Sequence, residues 1–279
     1  NKKDNYTFYN LDIRDYNKLE RLIKNENYDS IIHLAAESHV DNSILNPTLF
    51  AETNILGTIN LLNAVNKQWT SKDGKRFYHI STDEVYGALG SKGSFKETTS
   101  YDPRSPYSAS KASSDHFVRS YFHTYGLPIL ISNCSNNFGP NQNNEKLVPV
   151  VINSIINNQK IPIYGDGLNV RDWLYVYDHI EAIDTIFHKG TVGESYNIGG
   201  GNELSNISLI KKIIKASAPL INKSESSLEK LMEFVPDRKG HDFRYSIDYS
   251  KVSKNLNWYP QYKFDIAFEA TIKWYINKK

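Results

Sequence analysis

This sequence lacks cysteine pairs, an imbalance of charge and long apolar runs. Cys134 is its one cysteine, which excludes an internal disulfide, so we expect a reducing compartment and a cytoplasmic location. No apolar run approaches the ~18 residues of a membrane span, and no basic, apolar leader predicts secretion. Because 33 basic residues are balanced by 31 acidic ones, we expect no nucleic-acid partner and no membrane partner.

A glycine-rich turn between a first strand and a first helix is also missing. In a dinucleotide-binding sheet, that turn holds the pyrophosphate against the helix N-terminus. The Gly-Gly-Gly run at 199–201 comes far too late for this role and is interpreted as a turn after a strand. We expect roughly 30 to 50 further residues, about one βαβ unit, to precede this sequence in the molecule. The eight histidines show no zinc-type spacing, so no metal is expected.

Apolar runs and helical stripes alternate through the first half of the chain. This order predicts a parallel sheet with helices on both faces, which is an α/β, doubly wound architecture. The short apolar run 30–36 is typical of a strand buried on both sides, and Asp15 is placed to cap a helix. We predict strands over 6–11, 30–36, 77–81 and 128–134, with helices after Asp15, over about 48–69 and over about 105–125.

The second half of the chain predicts a smaller α/β domain, folded over the open end of that sheet. Its predicted helices are 147–158, 178–188 with Asp178 as the cap, 205–216 and 264–275, and its predicted strands are 161–165, 173–176 and 195–198. The first domain is assigned 1–137 plus about 172–190, and the second 138–171 plus 191–279.

The stretch 81–111 carries the residues best suited to catalysis. Asp83 and Glu84 follow an apolar strand, and Tyr107 and Lys111 lie four residues apart near a helix start, on one helical face. Consecutive strand residues point to opposite faces, so both acids can reach one substrate only where the strand opens into a loop. Two close carboxylates repel, which raises the pKa of one, so that one acid is protonated while the other is ionised.

Four motifs occur in order along the chain. They are Leu-Ala-Ala-Glu-Ser-His-Val-Asp at 34–41, Ser-Thr-Asp-Glu-Val-Tyr-Gly at 81–87, Tyr-x-x-x-Lys at 107–111 and Asn-Cys-Ser-Asn-Asn at 133–137. Tyr-x-x-x-Lys alone is weak, but Thr-Asp-Glu-Val-Tyr-Gly before it is specific. Together they resemble the dTDP-glucose 4,6-dehydratase family of extended short-chain dehydrogenases/reductases, over about 6–275. The resemblance implies that the first domain is a Rossmann-like NAD-binding domain and that the second binds a nucleotide sugar.

The reaction implied by the resemblance removes water across C5 and C6 of dTDP-glucose. The C5 hydrogen is not acidic until C4 is a ketone, so hydride first leaves C4 for NAD and later returns to C6. Tyr107 is the implied base at the C4 hydroxyl, and Lys111 and the nicotinamide charge are expected to lower its pKa from about 10. Glu84 takes the C5 proton, Asp83 protonates the C6 hydroxyl, and Thr82 binds the C4 oxygen.

Further site residues are implied by matching the family's pattern position by position. Besides Tyr107 and Lys111, the residues expected at NAD are Asp12, Ile13, Leu34, Ala35, Ala36, Ser38, Thr53 and Asn137. Besides Ser38 and Thr82, those expected at the nucleotide sugar are Asn136, Lys146, Leu147, Pro162, Tyr164, Arg171, Asn206, Arg238 and His241. Arginine and lysine suit a diphosphate because they pair with its oxygens. The family usually has proline where Lys239 stands, which puts the rigidity of that loop in question.

Two other functions remain open at this point. One is a related enzyme acting on another nucleotide sugar, such as a UDP- or CDP-glucose dehydratase or an epimerase. The adjacent pair Asp83-Glu84 argues against an epimerase. It also differs from the GDP-mannose dehydratases, which have Ser-Glu at these two positions. The other is a non-catalytic binding protein, suggested only by the missing glycine-rich turn. The resemblance also implies a homodimer, paired through the helices 48–69 and 107–125.

Overall fold

The computed structural model describes residues 5–278 of the chain. The ends of the two predicted domains, residues 1–4 and 279, lie outside the described residues. The α-helices are α1 Tyr16–Glu26, α2 Val40–Leu45, α3 Pro47–Phe50, α4 Gly57–Gln68, α5 Pro106–Tyr125, α6 Leu147–Asn157, α7 Val176–Lys189, α8 Asn206–Ser217, α9 Glu225–Glu229, α10 Ser250–Leu256 and α11 Phe264–Asn277. The strands are β1 Ser30–His33, β2 Arg76–Thr82, β3 Ile129–Cys134, β4 Asn136–Phe138, β5 Ile161–Tyr164, β6 Val170–Tyr175, β7 Ser195–Ile198, β8 Glu203–Ser205 and β9 Met232–Val235.

A four-stranded parallel sheet, in the order β1-β2-β3-β7, forms the centre of the first half. One face packs on α1, α4 and α5 through an apolar cluster that includes Leu62, Phe77 and Ile131. The other face packs on α7 and α10 through a cluster that includes Tyr78 and Ile186. The predicted α/β fold, a parallel sheet with helices on both faces, is confirmed.

The second half contains two smaller sheets, one in the order β4-β6-β8 and one pairing β5 with β9. Helices α6, α8 and α11 cover them with a separate apolar cluster that includes Ile152, Ile213 and Phe268. Strand β7, which the sequence assigned to this second domain, instead pairs with β3 in the main sheet. The two-domain division stays a prediction, with β7 moved into the first domain. None of the helices described over 5–278 has the length and apolarity that crossing a membrane requires.

Three local predictions differ from the structure. Residues 6–11 form no strand, because a strand needs a neighbour for its hydrogen bonds and none of the described strands pairs with them. Asp178 does not cap α7 but lies in its first turn, where its Oδ1 accepts a 2.6 Å hydrogen bond from the backbone of Gln261. The predicted helix 48–69 is interrupted by a π-helical stretch, Ala51–Leu56.

The cap that the sequence predicts at α1 is present, and α5 is capped at its end as well. Asp15 accepts from the backbone N–H of Lys18 at 3.1 Å, which satisfies a free donor of the first turn of α1. Gly126 ends α5 in the left-handed conformation, with φ of 64°. Helix α5 therefore begins and ends where the sequence predicts, which fixes the position of the Tyr107–Lys111 pair.

Candidate active site

The two acids lie where strand β2 ends and a 3-10 turn, Asp83–Tyr86, begins. The hydroxyl of Thr82 accepts from the backbone N–H of Glu84 at 3.3 Å, which caps this turn. Asn133 donates from its side chain to the carbonyl of Thr82 at 3.1 Å and so links the turn to β3. The strand thus ends just before the acids, as predicted, so their side chains are not forced to opposite faces of the sheet.

Asp83 and Glu84 have different surroundings. Asp83 is 1% exposed, and its Oδ2 is buried without a hydrogen-bond partner. Burial, helped by the charge of Glu84, raises the pKa of Asp83 well above its usual value. Burial also raises the pKa of Glu84, but the charges of Arg171, Lys146 and Arg238 oppose that rise. The geometry therefore favours a protonated Asp83 beside a more readily ionised Glu84.

Helix α5 holds Tyr107 and Lys111 next to this turn. Ser105 and Ser108 form a reciprocal capping box that fixes the helix start two residues before Tyr107. The ammonium of Lys111 is buried and donates to the carbonyl of Ile80 at 2.8 Å, which ties α5 to the neighbouring strand β2. Tyr107 is 9% exposed and packs edge-on against Phe50. The predicted tyrosine, lysine and two acids therefore meet at the carboxyl end of β2.

The pKa of Tyr107 is governed mainly by burial. Burial raises it well above 10, and the charge of Glu84 adds to the rise, while a hydrogen bond with Thr82 opposes it. Burial also lowers the pKa of Lys111. Burial therefore dominates the balance of the protein's own groups, because removing a phenolate from water is costly. The lowering expected from Lys111 and the nicotinamide charge together stays a prediction.

Three cations surround the outer side of the acid pair. The ammonium of Lys146 donates to the carbonyl of Ser38 at 2.6 Å. Arg171, at 8% exposed, donates to the carbonyl of Asp242 at 3.0 Å and lies 4.2 Å from the ring centre of Tyr245. Its guanidinium is thus held by backbone oxygens and an aromatic face rather than by a carboxylate, which leaves its charge available to an anion.

The third cation, Arg238, is paired with an acid from the first half of the chain. Its Nε lies 2.6 Å from Oδ1 of Asp41 on α2, and its guanidinium lies 5.0 Å from the ring centre of Tyr164. The hydroxyl of Tyr164 donates to the same carboxylate at 3.1 Å. In the same loop, Nδ1 of His241 lies 2.7 Å from Asp237. Both halves of the chain therefore contribute to the surroundings of this third cation.

The remaining predicted substrate residues lie at or near the ends of elements in the second half of the chain, apart from Pro162 inside β5. Lys146 immediately precedes α6, Leu147 is its first residue, and Pro162 pairs with Glu233 on the neighbouring strand β9. The Oδ1 of Asn206, at the start of α8, is buried without a partner. An unsatisfied buried acceptor is costly unless something supplies a donor, which fits a ligand contact. Asn136 begins β4 and is half-buried.

Of the residues predicted at NAD, those within 34–38 follow the carboxyl end of β1. Leu34 is 60% exposed directly after β1, and Ala35 is exposed beside it. Asp12 is bound to Arg14, whose hydrogen bonds lower the pKa of Asp12 to about 2. Of the others, Ile13 packs on Gly57 of α4, Ala36, Ser38 and Thr53 are half-buried, and Asn137 contacts Nδ1 of His179 at 2.9 Å.

Two buried residues that position this site were missed in the sequence. Asn54, in the π-helical stretch, bonds both backbone groups of Glu37 and also donates to Ser110 at 2.8 Å, so it holds the loop after β1 against α5. Asp172 accepts from the backbones of Gly200 and Asn202 at 3.0 and 2.7 Å. An asparagine inside an apolar helical run was the one available signal for Asn54, and the glycine run 199–201 is the turn that Asp172 organises.

No group of three or more His, Cys, Asp or Glu side chains within 5–278 is arranged to hold a metal ion.

Comparison with known proteins gives consistent results. The family model described as GDP-mannose 4,6 dehydratase matches residues 1–271. A dTDP-glucose 4,6-dehydratase of Xanthomonas campestris is 47% identical over 98% of this chain and 80% of its own length. Among solved structures, DesIV, a dTDP-glucose 4,6-dehydratase from Streptomyces venezuelae solved with NAD bound, superposes with a TM-score of 0.89 at 41% identity, covering 97% of this chain and 79% of its own.

A UDP-glucose 4-epimerase from Thermotoga maritima superposes almost as well, with a TM-score of 0.88, but is only 27% identical. It covers 99% of this chain and 86% of its own. The fold is thus shared with epimerases, while the sequence is much closer to the dehydratases. The chain belongs to the dTDP-glucose 4,6-dehydratase family of extended short-chain dehydrogenases/reductases.

Proposed function

We propose that this protein is a dTDP-glucose 4,6-dehydratase, a hydro-lyase that converts dTDP-glucose to dTDP-4-keto-6-deoxyglucose and water. The observation that carries the proposal is the acid pair at the end of β2. Asp83 is buried with an unpartnered oxygen and a raised pKa, while Glu84, next to it, is under the influence of three cations. Eliminating water needs one group that gives a proton and one that takes a proton at adjacent carbons, and this pair supplies both.

The residues along the sheet edge fit an NAD cofactor. Leu34 and Ala35 expose apolar surface directly after β1, and Lys111 uses one of its three ammonium protons on Ile80, which leaves donors for a ribose. We propose that 34–36, Ser38, Thr53, Asn137, Asp12 and Ile13 hold NAD together with Tyr107 and Lys111. When bound, NAD accepts hydride from C4 of the sugar and later returns it to C6.

The protein's own side chains carry the proton transfers. Tyr107 acts as a phenolate, stabilised by Lys111 and by the positive charge that a bound nicotinamide would add. In that form it takes the proton of the C4 hydroxyl, while Thr82 is bound to the C4 oxygen. Once C4 is a ketone, Glu84 takes the C5 proton, which the adjacent carbonyl makes acidic. Asp83 gives its proton to the C6 hydroxyl, which leaves as water. Glu84 would return its proton to C5 when hydride is added at C6. The low solvent exposure of Asp83 and Tyr107 strengthens each of these interactions.

The three cations around the acid pair bind the nucleotide diphosphate. We propose that Arg171, Arg238 and Lys146 pair with its oxygens. Tyr164, Pro162, Leu147, Asn136, Asn206 and His241 complete the nucleotide-sugar site. Arg238 already lies against Asp41 at 2.6 Å, so an arriving diphosphate exchanges one anion for another at this guanidinium.

The experiment that tests the function incubates the purified protein and NAD with dTDP-glucose and, separately, with UDP-glucose. We expect the 4-keto-6-deoxy product from dTDP-glucose at a much higher rate. A 4-epimer from UDP-glucose, with no loss of water, would favour the epimerase instead. The 27% identity to the Thermotoga epimerase, against 47% to the dehydratase, supports the first outcome.

We also propose that the protein is cytoplasmic and forms a homodimer through α4 and α5. The free, half-buried Cys134 is consistent with a reducing compartment. Phe117 on α5 and Leu56 before α4 are 39% and 54% exposed, and exposed apolar side chains on two neighbouring helices suit an interface. Sedimentation should give a dimer for the wild type, and Phe117→Glu should shift it toward monomer. A wild-type monomer would contradict the pairing.

A further inference from the structure

A buried carboxylate lies one helical turn beyond the tyrosine–lysine pair. Tyr107, Lys111 and Asp115 are spaced by four along α5 and share one face of that helix. Asp115 has an exposure of 0%. A carboxylate removed from water in this way is strongly destabilising unless donors and an opposite charge compensate it. The proposed function gives Asp115 no role.

Neutral donors hold the Asp115 carboxylate in one orientation. Its Oδ2 accepts from Tyr101 at 2.8 Å, from Ser81 at 2.9 Å and from the side chain of Asn133 at 3.4 Å. Its Oδ1 lies 3.1 Å from Nε2 of His79 on β2. These partners lie on β2, which leads into the acid pair, on the neighbouring strand β3 and in the loop before α5. The carboxylate is therefore held by the same elements that position the active site.

Two cations lie near Asp115. One is the buried ammonium of Lys111, and the other is the half-buried guanidinium of Arg119, which donates to Tyr101 at 3.3 Å and is also attracted by the Asp115 charge. Burial lowers the pKa of Lys111, and the charge of Asp115 is the largest influence that opposes it. Burial alone would raise the pKa of Asp115, but His79, Lys111 and Tyr101 together lower it. Each of the two buried charges therefore favours the ionised form of the other.

The other titratable groups around Lys111 do not provide a counter-charge. His33 on β1 and His79 on β2 are buried, and burial lowers the pKa of His79 to about 4 and that of His33 well below its usual value. Burial raises the pKa of Cys134 on β3 to about 12. Near neutral pH these three are uncharged, and burial also favours the neutral form of Tyr107.

We propose that Asp115 is a positioning residue whose buried carboxylate is the counter-charge that keeps Lys111 protonated beside Tyr107. The catalytic part of this proposal rests on the proposed function, whereas the pairing of the two charges does not depend on it. Without Asp115, Lys111 would be a lone buried ammonium and would release its proton more easily. Tyr107 would then lose the neighbouring positive charge that its phenolate needs.

The pairing is tested by urea unfolding of four full-length proteins: wild type, Asp115→Asn, Lys111→Met and the double variant. Asparagine keeps the shape of Asp115 and removes the charge. If Lys111 loses its counter-charge, its pKa falls, so the stability lost by Asp115→Asn should be largest near about pH 6 and shrink toward about pH 10. The double variant should lose less stability than the sum of the single losses.

Tyr101→Phe is the matched control, since it removes a hydrogen bond to the same carboxylate but no charge. Its loss of stability should stay constant between about pH 6 and about pH 9, below the range in which an unfolded tyrosine ionises. The pairing would be overturned if the stability lost by Asp115→Asn were equally independent of pH and the double variant lost the sum of the Asp115→Asn and Lys111→Met losses. If Asp115→Asn alone does not fold, the double variant should, because both buried charges are gone; failure of both to fold would also overturn it.

The catalytic consequence has its own readout. For Asp115→Asn we expect kcat to fall by about tenfold or more, with KM for the nucleotide sugar changed little and the alkaline limb of the kcat profile moved to lower pH. Tyr101→Phe should leave that limb in place. An unmoved limb in Asp115→Asn would refute the positioning role. The unfolding cycle needs no substrate, so its result is independent of whether dTDP-glucose proves to be the substrate.

Discussion

Asp83 and Glu84 are consecutive residues of one 3-10 turn, yet only Asp83 is fully buried, with an oxygen that has no hydrogen-bond partner. The charges of Arg171, Lys146 and Arg238 act on Glu84, whereas of these only Arg171 opposes the rise in the pKa of Asp83. The two neighbouring acids are thus biased toward different protonation states. This difference underlies the assignment of Asp83 as the acid and Glu84 as the base.

Asp83→Asn should give a more stable but inactive protein at neutral pH. The pKa of Asp83 is higher in the folded protein than in the unfolded chain. The protonated Asp83 therefore contributes its full stability below the unfolded pKa, and this contribution is lost as the pH rises through the folded pKa. The amide does not ionise, so the variant should keep its stability as pH rises from about 4 to about 7. Turnover should fall by about a hundredfold or more. Denaturant unfolding at both pH values checks this, and a variant less stable than wild type at neutral pH would contradict the buried, neutral carboxyl.

Glu84→Gln should stop the reaction after oxidation at C4. The amide cannot take the C5 proton, so elimination should slow by about a hundredfold or more, while the near-ultraviolet absorbance of reduced nicotinamide builds up. Stopped-flow absorbance measures this directly. Glu229→Gln, on an exposed position of α9, is the matched control and should behave as wild type. Undiminished turnover by Glu84→Gln would defeat the assignment.

Arg238→Lys should weaken binding of the nucleotide sugar more than it slows the chemistry. Lysine keeps the charge but loses the planar fork that contacts Asp41 and stacks on Tyr164. We expect KM to rise by about tenfold with a smaller change in kcat. Lys239→Ala in the same loop is exposed and should leave KM within about twofold. Equal effects of the two substitutions would remove Arg238 from the diphosphate site.

Gly200→Ala should destabilise the fold. A Cβ at this position would lie 2.0 Å from the carbonyl oxygen of Trp173, and backbone cannot move aside as a flexible side chain can. The expected cost is about 2 kcal/mol or more in free energy of unfolding. Gly90→Ala meets nothing within 4 Å and serves as the control. Equal unfolding midpoints for the two variants would mean that the turn after β7 is not as tight as described.

The sequence predicted most of the first half of the fold, because its strands and helices are long, periodic and clearly capped. Where it failed, the missing information was tertiary. Residues 6–11 have the composition of a strand, but only a hydrogen-bonding neighbour would make them one. Likewise, Asp178 looks like a cap because its real partner, Gln261, is far away in the chain.

The candidate site was predictable where a motif fixes local geometry and not where distant segments meet. Thr82, Asp83 and Glu84 lie at a strand end, and Tyr107 and Lys111 on one helix turn, as their spacing requires. Asp115 and Asn54 were missed because their roles depend on contacts with other elements. The sign of the pKa shift of Tyr107 also depends on burial, which local sequence does not reveal.

The central claim is that one active site oxidises, dehydrates and reduces the same hexose. The most direct measurement incubates the protein and NAD with dTDP-glucose carrying deuterium at C4, followed by mass spectrometry and NMR of the product. The account predicts a product lighter by one water, with the deuterium transferred to C6. Recovery of an intact hexose with deuterium still at C4, or a dehydrated product from which the label has been lost to solvent, would contradict it.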